Sequence, residues 1–290
     1  MSGTHLDSSA LEKLIAAAVA APSMHNTQPW RFRLDTDSTT VEIHADAGRG
    51  LPHEDLHGRA LHIAAGAALF NLRVAVIHFG WKPVTRLLPD PRHPGLLASV
   101  HITGRTSPRT LHGDDLHEAI RHRHSSRFPF GDRPVPVSVR HELAEAAQAE
   151  GATLAVTGPS ETARLLRITT EAERRNHADP ARSGESRRWS SHDGGEDTGI
   201  PSAALRPQDT FEQLPMRDVS ARRSLEQLPA RPCERTPALA PLSTGHDRRT
   251  DRLRAGQALE YVLLVATARG LRTSLLHQAL DGAVPQGDQY

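Results

Sequence analysis

A four-residue pattern occurs twice in this chain with the same spacing to a later glycine, and it restricts the architecture more than any other feature. Gly66-Ala67-Ala68-Leu69 leads to Gly80, and Gly256-Gln257-Ala258-Leu259 leads to Gly270, fourteen residues from first glycine to last in each case. The two copies stand 190 residues apart. Earlier helical stretches match as well: Leu14 and Ala17-Ala18 correspond to Leu143 and Ala146-Ala147, 129 residues apart. The two offsets differ by 61 residues, about the length of the irregular stretch 176–235. Duplication of one unit, with an insertion in the second copy, accounts for both offsets. Chance similarity between alanine-rich helices is the other explanation.

Periodicity sketches the rest. Ser9 and Glu12 have capping-box spacing ahead of a helix with Leu11, Leu14, Ile15 and Val19 on one face, ended by Pro22. Strands are expected at Trp30–Leu34 and Thr40–His44, then a long helix from about Arg59 to Phe79 that Gly80 stops. Strands near Val84–Leu88 and Leu96–Ile102 follow, then helices near Leu111–His122 and Val137–Glu150. A strand at Thr153–Val156 comes next, and Ser160 suits the cap of a helix decaying near Arg175. From Asn176 to Arg235 the chain is dense in Arg, Pro, Ser, Asp and Gly, and reads as a long loop. A helix resumes over about Asp251–Arg269, so that loop is an insertion within a fold, of the kind that forms lids.

Composition narrows the function classes. Net charge is +1, which gives no drive toward nucleic acid or an acidic membrane. Lys13 and Lys82 are the only lysines among 35 basic residues, so arginine motifs carry less information here than usual. Cys233 is the only cysteine, which leaves no intramolecular disulfide or thiolate cluster. The apolar run Leu14–Ala21 is too short to span a bilayer and lacks a basic flank; a cytoplasmic protein is expected.

Two strings carry chemistry. Ala21-Pro22-Ser23-Met24-His25-Asn26-Thr27-Gln28-Pro29-Trp30 ends a helix at a proline, presents short polar groups, and launches a strand with a bulky indole. By residue type alone it also fits a capped helix-to-strand turn. Arg123-His124-Ser125-Ser126-Arg127, followed by Phe130, sets two guanidiniums about a hydroxyl, which suits a phosphate dianion. By itself it also fits a solvated basic loop.

The first string resembles the A-P-S-x-x-N-x-Q-P-W signature of the nitroreductase family, and the second is similar to that family's R-x-S-x-R segment. Gly58-Arg59-Ala60-Leu61, Gly66–Leu69 and Ala255-Gly256-Gln257-Ala258-Leu259-Glu260 look like the Acg subgroup, whose members carry two nitroreductase-like repeats in one polypeptide. The resemblance implies an α+β fold with a mainly antiparallel sheet, duplicated as an intramolecular pseudo-dimer. Repeat one would cover 1–112 and repeat two 113–290, with the lid at about 176–235. It implies bound FMN held by Pro22, Ser23, His25, Asn26 and Gln28 and by Arg123, Ser125 and Arg127. Thr273–Gln278 would lie along the flavin ring, with His277 and Gln278 near N5. Only repeat one has the polar loop and only repeat two has R-x-S-x-R, so one FMN per monomeric chain is expected. Family members continue past the position corresponding to Gln278 into a segment that commonly adds a cationic phosphate contact; in this chain Tyr290 follows soon, which implies modest FMN affinity.

The function implied is an oxidoreductase that uses NAD(P)H to reduce FMN and passes electrons to a nitroaromatic or quinone-type acceptor. With no Rossmann glycine fingerprint in the chain, the nicotinamide would stack in the flavin pocket itself. The alternative is a flavin-sequestering protein whose lid closes the site. A third reading comes from His53-Glu54-Asp55-Leu56-His57, which fits the zinc motif H-E-x-x-H with His62 as a further ligand. Among 18 histidines such a match arises easily, and Pro52 places it at a helix start, where a solvated turn is the simpler reading.

Overall fold

In the computed structural model, which describes residues 7–105, 113–131, 133–190, 198–200, 208–209, 230–231, 234 and 237–280, two long helices form the centre. These are α2 (Arg59–His78) and α7 (Arg249–Ala268). α2 is alanine-rich and apolar on nearly every side, a composition that suits either a membrane span or a core helix. Here most of its surface is buried against other helices and the sheet. Its N-terminus has no side-chain cap from Gly58; the Asp55 carboxylate instead accepts from Ala60 N (3.0 Å) and Leu61 N (2.8 Å). At the start of α7 the carboxylate lies inside the helix: Asp251, in the first turn, accepts from the N–H of Arg248 just before it. Both helices end at a left-handed glycine, Gly80 (φ 84°) and Gly270 (φ 72°), as the repeated spacing predicts.

α1 (Ser8–Val19) packs on α2, and α4 (Val137–Ala149) packs on α7. Leu14, Ala17 and Ala18 are buried in the first, Ala146 and Ala147 in the second. The cap of α1 is Asp7, accepting from Ala10 N at 2.7 Å, and not Ser9: the carboxylate two residues earlier takes the orphan donor. α3 (Gly113–His122) lies against both central helices.

β1 (Trp30–Asp35), β2 (Thr40–Ala45), β3 (Trp81–Leu87) and β4 (Leu96–Arg105) form an antiparallel sheet in the order β1-β2-β4-β3. Alternation places Val41, Ile43, Ala98, Val100 and Ile102 in the core, while Arg31 and Arg33 face solvent. β5 (Thr153–Leu154), shorter than expected, pairs antiparallel with β8 (Leu242–Ser243).

Between those two strands lie α5 (Pro159–Ala178), α6 (Pro180–Ser190) and a two-residue parallel pair, β6 (Gln208–Asp209) with β7 (Ala230–Arg231). Two expectations are corrected. Ser160 does not cap α5, whose N-cap position is Gly158 with Pro159 as the first helical residue. Residues 176–190, read as loop, are helical: α5 runs to Ala178, and Asp179 accepts from Ala181 N at 2.9 Å to start α6. α6 lacks an apolar stripe, so periodicity could not find it. Most of the remaining stretch up to 235, including Cys233, the residues at the proposed repeat boundary and residues 281–290 lie outside the described residues.

Candidate functional site

The loop after α1 is held in a conformation its residues do not favour. Within four positions His25 (φ 50°), Asn26 (φ 55°) and Gln28 (φ 48°) all adopt left-handed backbone. Asparagine tolerates that region better than most residues, but for a residue such as Gln28 it costs roughly 1–2 kcal/mol, a strain that persists only where surrounding contacts over-determine it. Those contacts are explicit. Ser23 Oγ accepts from Gln28 N at 3.0 Å, and Asn26 N donates to Ser23 O at 3.0 Å. Trp30 N donates to Gln28 O at 2.8 Å, and the Trp30 indole is buried as expected.

Two further anchors come from outside the loop. His25 Nε2 donates to the Glu54 carboxylate at 2.7 Å, with both side chains buried. Asn26 exchanges hydrogen bonds with Gly199: Gly199 N donates to Asn26 O (3.0 Å) and Asn26 Nδ2 donates to Gly199 O (3.1 Å). Gly199 belongs to the insertion, and α6 lies on the same loop. Glu185 of α6 also accepts from His53 N (3.1 Å) and Glu54 N (2.8 Å).

The Arg123–Arg127 segment follows α3 and meets the start of that loop. Arg123 Nη2 donates to Ala20 O, the last residue of α1's final turn, at 3.3 Å. Beyond it the chain is zipped to the segment after α7: Ser125 pairs with Thr273, Ser126 N donates to Thr273 O at 2.7 Å, and Arg272 meets His124. Ser125 is exposed and Arg127 half-buried. Thus the 123–127 and 273–278 segments, 150 residues apart in the chain, are brought side by side. His277 and Gln278 sit at the far end of that stretch, where the short 3-10 turn Gln278–Leu280 rests on α5 and Gln278 is buried. The His277 N–H donates to the Gln278 side-chain oxygen at 3.1 Å.

Sequence reasoning missed the polar cluster behind Arg123. Glu260 of α7 and Asn71 of α2 are both 0% exposed, and Glu260 Oε1 lies 3.7 Å from Arg123 Nε. Neither Glu260 oxygen has a hydrogen bond within the usual limits, nor does Arg123 Nε. Burial pushes the Glu260 carboxyl up to about 8, against the lowering pull of Arg123 and Asn71. The signal was present in the repeat itself. The 190-residue offset matches Glu260 to Phe70 and Asn71 to Tyr261, and Phe70 and Tyr261 stack at 4.8 Å. Of the two pairs related by that offset, one is aromatic and the other polar.

The H-E-x-x-H string is a turn, not a helix. His53 and His57 are exposed, Glu54 points inward to His25, and Asp55 caps α2. His62 accepts from Arg249 Nε at 3.0 Å, and burial lowers its pKa with help from Arg249 and Arg252. Among the described residues no three His, Cys, Asp or Glu side chains are grouped to hold a metal. The depression beside Glu54, lined by Asn176, His177, Arg182 and Ser183, is too shallow to enclose a cofactor.

No family model matches the chain. Three proteins of Mycobacterium tuberculosis (strain ATCC 25618 / H37Rv) are similar along nearly all of it. "Uncharacterized protein Rv3127" is 29% identical over 286 residues, covering 94% of this chain and 79% of its own. "Putative NAD(P)H nitroreductase Rv3131" is 30% identical over 281 residues, covering 96% and 79%. "Putative NAD(P)H nitroreductase acg" is 28% identical over 282 residues, covering 95% and 82%. The strained 22–28 loop and the arginine segment therefore stand in a chain that is collinear with these proteins almost end to end, and the chain belongs to the NAD(P)H nitroreductase-like family.

Proposed function

We propose that this protein is an FMN-dependent oxidoreductase that takes electrons from NAD(P)H and delivers them to a nitroaromatic or quinone-type acceptor. The observation that carries the reading is the bond from Arg123 to Ala20 O, which sets a guanidinium at the mouth of a loop held in left-handed conformation. Strain of that kind collects where backbone must be presented to a ligand. The donor set also suits the cofactor. Arg123 and Arg127 supply charge for a phosphate dianion, and Ser125, lying between them, is exposed. Pro22, Ser23, His25, Asn26 and Gln28 would line the ring and ribityl chain, with Thr273–Gln278 alongside.

Bound FMN would supply the chemistry, accepting hydride from nicotinamide and handing electrons on. The chain's part is to orient, to exclude water and to place backbone donors near the ring. The His277 N–H would have to leave the Gln278 side chain to serve there.

Duplication into repeats 1–112 and 113–290 is part of the proposal. In its support, Gly66 and Gly256 approach each other reciprocally, and α1 stands to α2 as α4 stands to α7. One FMN per chain follows, because the polar loop and the arginine segment each occur once.

One observation favours a second reading, flavin sequestration. The paired bonds between Asn26 and Gly199 put the insertion directly on the cofactor loop, where nicotinamide would have to enter. An absorption spectrum of the purified protein, taken before and after anaerobic NADPH, separates the two. Flavin bands that bleach establish a reductase. Bands that bleach only with dithionite establish storage, and no flavin after reconstitution with FMN removes both.

A further inference from the structure

Arginine beside a phosphate site is useful only if its direction is held, and the group that holds Arg123 lies 137 residues further along the chain. Arg123 is gripped at two points: its Nη2 donates to Ala20 O, and its Nε faces Glu260 Oε1 at 3.7 Å. Glu260 sits in the middle of α7, wholly buried, with Asn71 of α2 beside it. Burying a carboxylate and an amide with their polar atoms unsatisfied is expensive, and an apolar pair of similar volume would be more stable there. The duplicated unit shows that the alternative is available. At the two positions related to them by the 190-residue offset stand Phe70 and Tyr261, a stacked aromatic pair. The polar pair occurs only on the side that faces Arg123.

We propose that Glu260 is a positioning residue: by facing the Arg123 Nε from the core it fixes the guanidinium at the C-terminal end of α1, and so sets the preference for a flavin bearing a 5′-phosphate over one without it. This rests on the FMN-binding reading above. Removing Glu260 leaves Arg123 free to rotate away from Ala20, so the phosphate loses an aligned charge while the ring and ribityl contacts stay as they were. Gln at 260 keeps a neutral acceptor of the same length, so it preserves the alignment.

The test is a pair of titrations on the full chain stripped of flavin, one with FMN and one with riboflavin, followed by flavin fluorescence. Glu260→Ala should raise the FMN Kd by about tenfold, the value of one charge-assisted bond, with the riboflavin Kd changed less than about threefold. Glu260→Gln should keep the wild-type ratio of the two constants within about threefold. If Glu260→Ala does not fold, Glu260→Met fills the space and gives the same readout. Equal weakening of both flavins would make Glu260 merely structural, and no change in either would leave it without a role; each overturns the proposal. Wild-type protein that binds neither flavin would instead overturn the FMN reading, and the two failures are told apart by the wild-type titration alone.

Discussion

Gly66 and Gly256 meet face to face where α2 crosses α7. A Cβ on Gly66 would lie 3.0 Å from Gly256 Cα, and a Cβ on Gly256 would lie 2.9 Å from Gly66 Cα. Each would also run into a backbone carbonyl of the opposite helix, Leu253 O for Gly66 and Ile63 O for Gly256. The contact is reciprocal, three residues before the partner glycine in both directions.

Two effects oppose each other when either glycine becomes alanine. Helix propensity favours the change by ~1 kcal/mol. Backbone cannot yield as a flexible side chain does, so the clash costs ~3 kcal/mol or more and decides the sign. Gly66→Ala and Gly256→Ala should each lower stability in urea melts. Gly184→Ala, in α6 with open space around its Cβ position, should raise it by up to ~1 kcal/mol. Unchanged melts for the first two would mean the helices are not this close.

Arginine substitutions separate binding from folding. Arg127→Ala should weaken FMN retention by ~1.5–3 kcal/mol. Arg123→Ala should weaken retention and also destabilise the fold by ~1–3 kcal/mol at neutral pH, because it leaves the buried Glu260 carboxyl without the guanidinium that faces it. Equilibrium dialysis with FMN and a thermal melt of each variant measure the two quantities independently.

The raised pKa of Glu260 predicts a pH effect of definite sign. A carboxyl at about 8 in the fold, against an ordinary 4.5, binds its proton more tightly when folded. Its contribution is fully present below pH 4.5 and is lost as pH rises through about 8. Wild type should therefore lose stability relative to Glu260→Gln between those values and run parallel to it above them. Melts of both proteins at about pH 5, 7 and 9, which span the window, test this. A constant difference across the series would contradict the burial assigned to Glu260.

The H-E-x-x-H string should behave as a structural turn. His53→Ala and His57→Ala, both on exposed side chains, should change stability by no more than ~0.5 kcal/mol. Glu54→Ala should cost ~1–3 kcal/mol, since it strips the buried His25 of its partner. Stoichiometric zinc in the purified protein, lost on His53→Ala, would reverse this assignment.

If the insertion screens the flavin, loosening it should speed reduction. Glu185→Ala removes the acceptor for two backbone N–H groups, His53 and Glu54, without touching the loop itself. Stopped-flow bleaching by NADPH should become several-fold faster, ~1–2 kcal/mol for the lost bonds. An unchanged rate with flavin still bound would place the barrier elsewhere.

Much of this architecture was legible in the chain. Apolar spacing located α1, α2, α4 and α7 because each buries a face, and burial is what imposes periodicity. The alternation in β2 and β4 was readable for the same reason. So were the glycines that end α2 and α7, since left-handed backbone is a local demand that glycine meets at little cost. Local chemistry also marked the 22–28 loop and the arginine segment as the chemically distinctive strings. What stayed hidden depends on partners far away in sequence. α6 has no apolar stripe and is held by Asp179 at its start and by Glu185 reaching the 53–54 turn. Glu54 stood in a string that reads as a solvated turn until the fold set it against His25, and Asn26 is bound by Gly199 through its Nδ2 and its backbone carbonyl. Nothing in the local sequence marked Glu260; only the packing of α7 against α2 and the end of α3 buries it behind Arg123. Residue type and spacing determine which elements form and which groups are chemically capable. Which of those groups meet is decided by tertiary packing, because a contact across 100 or more residues leaves no periodic trace in the chain.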